Sequence, residues 1–368
     1  MAKFTSRNRW PKQGCELSSA SGQILTGIAE CYGAAVIEYL KPICLLALIA
    51  GHLLSGAISF GQYIRTGHNE DAPTTPIAGF ALMGGGSDLE PAFKWLCDRA
   101  RGGDFLILRA RGDDAYNSYI NGLCHANSVA TLIIPDATAA RDPRVAEIIR
   151  NAEAIFISGG DQARYIKGWM DSPVQRELND AIARGVPIGG TSAGLAVLGD
   201  YVYSAENDKP NEPNLSSNQA LADPFNNRVK VRREFLQIPL FRHVLTDTHF
   251  KARDRMGRTI TFLARIVEDG WSRNPHAIAV DEKTTVLVDG NGKASVVGSS
   301  SAYFLSVNEL PKVCVSGMPL TFNNISVYRL KAGGRFDVSN WRGDGGVAYS
   351  VSAEQGVIHS SQPGGAIY

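Results

Sequence analysis

None of the six cysteines, at 15, 31, 44, 97, 124 and 314, stands in a Cys-x-x-Cys pair. Neither a zinc site nor a thioredoxin-type redox pair is therefore signalled, and no metal is expected. An excess of charge of one sign is also missing: the formal net charge is +1. Nucleic-acid binders carry a basic excess or stripe, so nucleic acid is set aside as a partner. The glycine turn at Gly84, Gly85 and Gly86 does not continue into Gly-x-Gly-x-x-Gly, and no Walker-type lysine follows it. Nucleotide binding loses its usual fingerprints, and no cofactor is expected. Nor is disorder indicated, because hydrophobic residues at 44% outnumber charged residues at 20% in ordinary globular proportion.

What is present begins with an apolar run from Ile43 to Ile58, preceded by Lys41 and interrupted by His52. It reads as the core of a secretory signal, with Ser55 and Ala57 as the small residues before cleavage after Ala57. It is short of the ~20 residues that a membrane span needs. An uncleaved membrane anchor and a buried helix of the folded domain are the competing readings. Residues 1–57 are thus an N-terminal extension, and the chain is expected to be exported or, alternatively, membrane-anchored. Residues 58–76, with Gly67, Asn69, Glu70, Asp71, Pro73 and Pro76, read as a linker before a domain at 77–368. Once the extension is removed, Cys97, Cys124 and Cys314 remain, and buried free thiols are expected.

From Ile77 short apolar runs alternate with helical spacing. Ile77–Met83, Phe105–Leu108, Ala130–Ile134, Ala154–Ile157 and Pro187–Gly190 read as buried strands; Pro91–Arg101, Pro143–Ala152 and Pro173–Arg184 read as helices with proline at their starts. The alternation predicts an α/β fold, a parallel sheet with helices on both faces and ligands at the strands' carboxyl ends. Beyond residue 276 the pattern turns to β, with a hairpin signal at Asp289–Gly292 and a surface-like glycine- and serine-rich tail after Gly343.

Chemistry is carried first by Gly190, Thr191, Ser192, Ala193 and Gly194, a Gly-x-Ser-x-Gly pattern between an apolar run and Leu195–Leu198. A strand, a sharp turn and a helix would lift the Ser192 hydroxyl above the sheet as a nucleophile. Serine needs a base. His249 is the best candidate, in Asp247, Thr248, His249, Phe250, with Arg253, Arg255 and Arg258 behind it. Those arginines would depress the histidine's pKa and collect substrate carboxylates; a solvated basic helix face is the competing reading.

Gly159, Gly160, Asp161 and Gln162, then Gly190–Gly194, then Asp247, His249, Phe250 and the three arginines, then Asp281 and Glu282, together resemble the cyanophycinase branch of the serine peptidase family that also contains aspartyl dipeptidase, family S51. The resemblance covers roughly residues 77–290. It implies a fold similar to class I glutamine amidotransferases (flavodoxin-like), serine replacing their cysteine, with a β-rich C-terminal part. It implies Ser192 as nucleophile, His249 as base and Glu282 as its orienting carboxylate. It also implies an oxyanion hole from the N–H groups of Gly160 and Ala193, and substrate contacts from Gln162, Asp247, Thr248, Arg253, Arg255 and Arg258. The implied substrate is a peptide: cyanophycin, polyaspartate bearing arginine on its side-chain carboxylates, or aspartyl dipeptides. The implied assembly is a homodimer.

This chain departs from the pattern at Thr248, where cyanophycinases have glutamine, and by an insertion around Asn207–Asn218. Two alternatives are an α/β-hydrolase esterase, in which Ser192 works with Asp337 and His359, and a secreted module that keeps the fold without catalysis.

Overall fold

The computed structural model describes residues 61–209 and 212–368. The apolar segment at 43–58 lies outside the described residues. Among those residues no helix is long and apolar enough to cross a membrane.

Five strands follow from the apolar runs: β2 (Gly79–Met83), β3 (Asp104–Arg109), β4 (Ser128–Ile133), β5 (Ala154–Ile157) and β6 (Ile188–Thr191). They pair in parallel in the order β4-β3-β5-β6-β2. Alternation sends Leu106 and Leu108 into one core and Phe105 and Ile107 into the other, so both faces of the sheet are buried. One face is covered by α1 (Glu90–Ala100), through Phe93 and Leu96. The other is covered by α3 (Pro143–Arg150), α4 (Gln162–Trp169) and α5 (Pro173–Ala183), through Ile149, Trp169 and Leu178. Helix α2 (Ala115–Leu123) lies between β3 and β4 in sequence.

The sheet is mixed at its margins. β1 (Gln62–Gly67) adds to β4 antiparallel, and β11 (Thr284–Asp289) adds to β2 antiparallel, followed by β12 (Lys293–Gly298), β15 (Arg335–Asp337) and β16 (Arg342–Asp344). Gln62–Gly67 was expected to be linker, since a glycine-, asparagine- and proline-rich stretch follows directly. Its backbone instead satisfies the free edge of β4, and the fold begins well before Ile77.

A second sheet joins β9 (Val244–Asp247) in parallel to β7 (Tyr201–Tyr203), which pairs with β8 (Val231–Arg233), and on its other side in parallel to β10 (His276–Val280), which pairs antiparallel with β13 (Ser301–Val307), then β14 (Phe322–Lys331), β17 (Val347–Glu354) and β18 (Val357–Ser360). Ile278 and Val280 face the core shared with the first sheet; Ala277 and Ala279 face α8 (Met256–Glu268). The tail after Gly343 is therefore not simply surface. Val351 and Ala353 are buried, and Tyr368 packs edge-on against Phe250 and Tyr303.

The cysteines also differ from expectation. Cys97 on α1 and Cys124 at the end of α2 are disulfide-bonded, with Cα atoms 5.8 Å apart, and only Cys314 among the described residues is free and buried. Spacing could not show this pair, because a 27-residue separation says nothing about where two helices meet.

Candidate active site

Ser192 sits between β6 and the short helix α6 (Ala193–Ala196) with φ 52° and ψ −116°. A non-glycine residue at positive φ is strained, and the flanking glycines make the turn possible by omission. A Cβ on Gly190 would run into the Gly194 backbone, and one on Gly194 would collide with the carbonyl of Ile157. The Ser192 amide is tied to the Met83 carbonyl at 3.1 Å, fixing the turn to β2.

His249 follows the end of β9, also at positive φ, 46°. Its Nε2 lies 2.6 Å from Ser192 Oγ, and its Nδ1 lies 2.6 Å from Glu282 Oε1. A carboxylate can only accept, so the ring proton belongs on Nδ1 and Nε2 accepts from the serine hydroxyl. Burial holds the histidine's pKa below its ordinary value; Arg253 and Arg255 push the same way, while the Glu282 hydrogen bond opposes them. The imidazole is thus neutral and ready to take a proton near neutrality.

The glycine turn after β2 is the seat for this pair, a role that the strand-end position alone did not reveal. Gly84 accepts from the His249 amide at 2.8 Å, Gly85 at φ 96° lies against the imidazole, and a Cβ on Gly86 would come 3.1 Å from Glu282 Cβ. Asp281 accepts from the Ala252 amide at 2.9 Å and from Ser300 Oγ at 2.6 Å, bracing the loop after His249.

Beside Ser192 opens a cleft of about 550 Å³. Gly160, Gln162, Ala193, Thr248, Arg253 and Arg255 line it with Ser192. Gly159 packs on the serine side, where an added Cβ would be 3.5 Å from Ser192 Cβ, and Tyr165 holds the turn by donating to the Ser158 carbonyl at 2.8 Å. As the first residue of α6, Ala193 has an N–H without an intrahelical acceptor. Both candidate oxyanion donors thus border the cleft at the serine.

Two residues expected at the substrate are elsewhere. Asp247 and Arg258 are buried, 2% exposed each, and neither lines the cleft. Arg258 Nε donates to Asp247 Oδ2 at 3.0 Å, its Nη2 bonds Oδ1, and Thr259 Oγ1 donates to Oδ2 at 2.7 Å. Burial raises the Asp247 pKa, but Arg258 and Arg255 outweigh it and leave a lowered value. The sequence offset was sound, but helix α8 turns Arg258 inward, where its charge needs a carboxylate.

Arg255 does reach the cleft. Its Nη1 donates to the Thr248 carbonyl and to Thr248 Oγ1, both at 2.9 Å, and its Nη2 donates to Asn214 Oδ1 at 3.2 Å. Asp247 is 3.6 Å away, and burial pushes the guanidinium pKa down to about 9. Arg253 is half-exposed, 3.8 Å from Glu282. Asp208, Lys209, Glu212 and Asn214 form another wall of the cleft, so the insertion that sequence spacing registered only as extra length contributes to the site.

The esterase arrangement is not formed. His359 is exposed on β18 of the second sheet, Asp337 is bound by Lys293 Nζ at 2.6 Å and by Asn340, and Ser192 takes His249 instead. Among the described residues no group of histidines, cysteines and carboxylates is placed to hold a metal ion.

A serine on a strained strand-to-helix turn, bonded to a histidine that a carboxylate orients, is the arrangement of a serine hydrolase. Residues 128–295 match the model of peptidase family S51. The cyanophycinase of Trichormus variabilis is 27% identical over 57% of this chain and 65% of its own length, and that of Synechococcus elongatus 25% identical over 64% and 71%. This chain therefore spans less than two thirds of the Trichormus relative. A solved structure described as a peptidase from an acI-B1 Actinobacterium is 19% identical, with TM-score 0.45, covering 72% of this chain and 98% of that one. The chain thus resembles peptidase family S51 over residues 128–295 and, at 25–27% identity, these two cyanophycinases.

Proposed function

We propose that the protein is a serine exopeptidase that hydrolyses cyanophycin or related β-aspartyl and aspartyl peptides through an acyl-enzyme, releasing β-Asp-Arg-type dipeptides. The observation that carries this reading is the continuous hydrogen-bonded path Ser192–His249–Glu282 at the mouth of a cleft walled by Arg253 and Arg255. Ser192 Oγ attacks the carbonyl beside the aspartyl unit while His249 Nε2 takes its proton. The tetrahedral oxyanion is held by the amides of Gly160 and Ala193. On collapse, the C–N bond breaks and His249 returns the proton to the leaving amine. Water, deprotonated by the same nitrogen, then attacks the ester and frees Ser192, with Glu282 stabilising the imidazolium each time.

The substrate class is supported by charge. The cleft presents Arg253 and Arg255 for a carboxylate, and Asp161 and Glu212 for a guanidinium. A non-catalytic module would have no need of a serine hydroxyl bonded to a histidine whose other nitrogen is held by a carboxylate. The test is incubation of the full chain with cyanophycin and with α- and β-aspartyl dipeptides, with products weighed by mass spectrometry. Absence of β-aspartyl-arginine and of every free aspartyl product would remove the proposal.

Export belongs to the same proposal and is supported by the Cys97–Cys124 disulfide, since such bonds persist in oxidising compartments. Fractionation of cells expressing the full chain would overturn it by finding the protein only in the cytosol. A homodimer, implied by the family resemblance, is tested by sedimentation.

A further inference from the structure

We infer that Asn214 is a positioning residue that aims Arg255 at a substrate carboxylate, so that the choice between a charged and a neutral acyl unit is set from the inserted wall of the cleft. The inference rests on the functional reading above and adds the residue that tunes it.

Arg255 is 6% exposed, lines the cleft, and differs from Arg258 in its partners. Arg258 has taken the carboxylate of Asp247 through both Nε and Nη2. Arg255 is left with neutral acceptors at hydrogen-bonding distance: the carbonyl and hydroxyl of Thr248, and the side-chain oxygen of Asn214. A guanidinium has five N–H donors; those three bonds leave two. Asp247, 3.6 Å from Arg255, is held by Arg258 through two hydrogen bonds; a buried cation with no carboxylate hydrogen-bonded to it is costly, and a carboxylate entering the cleft would relieve it. Burial already pushes its pKa down to about 9, in keeping with an under-compensated charge.

Asn214 is itself built into place. Arg228 donates to Asp208 Oδ1 from Nε at 2.6 Å, to the Pro213 carbonyl from Nη2 at 2.6 Å and to Gln219 Oε1 from Nη1 at 3.4 Å. On the other side, α7 (Ser217–Ala222) starts at a reciprocal capping box between Ser216 and Gln219. One half-buried arginine and one helix cap therefore fix the backbone on both flanks of Asn214. An amide oxygen there orients the Arg255 plane without neutralising it, whereas an aspartate would do both.

The test uses the full-length Ser192→Ala protein, so that nothing is hydrolysed. Calorimetry compares β-aspartyl-arginine with its analogue in which the free aspartyl carboxylate is a carboxamide. We expect the carboxylate to bind about tenfold tighter, one charge-assisted contact. Asn214→Ala should narrow that ratio several-fold and Asn214→Asp should abolish it, with carboxamide binding moved less than about twofold. A ratio unchanged in both variants, or an equal loss for both ligands, overturns the inference. In parallel, phenylglyoxal modification of Arg255 is followed with succinate or succinamide as protectant. Protection by succinate that Asn214→Asp removes upholds the inference even where the dipeptide fails to bind, in which case the substrate reading alone falls. No protection by succinate overturns the inference whatever the dipeptide does.

Discussion

Gly85 lies so close to His249 that a Cβ on the glycine would overlap the imidazole ring, and at φ 96° it occupies a conformation that side chains rarely adopt. The turn after β2 is therefore the mould in which the histidine is set. Gly85→Ala should displace the ring from Ser192 and lower kcat about 10²-fold or more, as misplacement by ~1 Å does elsewhere. The far-ultraviolet spectrum should stay native. Full activity in a folded Gly85→Ala protein would show that the ring has another seat.

The acid limb of kcat/KM reports His249 in the free enzyme. Neutral imidazole is the competent form, and burial places its pKa below the ordinary histidine value. Activity should therefore rise with pH through that lowered value and then level off. Glu282 is the group that raises this pKa, so Glu282→Gln should move the limb to lower pH while cutting kcat by about 10² to 10⁴. A limb that moves upward contradicts the assignment of Glu282.

Asp247 and Arg258 make opposite predictions from those of a substrate pocket. Asp247→Asn would strand two buried guanidinium groups and should cost about 3–5 kcal/mol of stability, read by urea unfolding. The sign with pH follows from a depressed carboxyl pKa. Its contribution is present above the unfolded value of about 3.9 and lost as pH falls through the folded one. A variant of native stability with weakened substrate binding would return Asp247 to the pocket.

Tyr368 supports the arginine loop from the far end of the chain. Its hydroxyl accepts from the Met256 amide at 2.8 Å and donates to Asp254 Oδ1 at 2.8 Å, on either side of Arg255. Tyr368→Phe should cost about 1–2 kcal/mol locally and raise KM several-fold with kcat nearly unchanged. Steady-state kinetics with equal KM in both proteins would sink this role.

Much of this was legible in residue order. β5 was read at its observed bounds and β2, β3 and β6 to within a few residues, because a buried parallel strand is a short apolar run and each run had turn residues beside it. Ser192 was legible because glycines on both sides of a serine are a steric requirement visible in the chain itself. Where chemistry depends on which way a helix faces, the sequence is mute: Arg255 and Arg258 are three residues apart, yet one borders the cleft and the other is sealed under it. Asn214, Gly85 and Tyr368 act on His249 or Arg255 across long stretches of chain, and no local pattern carries such a contact. The Cys97–Cys124 pair is hidden for the same reason.

Ser192 and His249 both hold positive φ, 52° and 46°, without being glycine. Each such residue costs of order 1–3 kcal/mol, and at this pair the cost goes with a serine hydroxyl set against the imidazole. Replacing Ser192 with glycine should abolish hydrolysis while raising the unfolding free energy by about 1 kcal/mol, after the extra freedom of glycine in the unfolded chain is subtracted. Under the proposed function, a lineage released from the need for turnover would thus drift readily toward sturdier, silent copies of this fold, and a serine persisting at this turn would be a mark of continuing use.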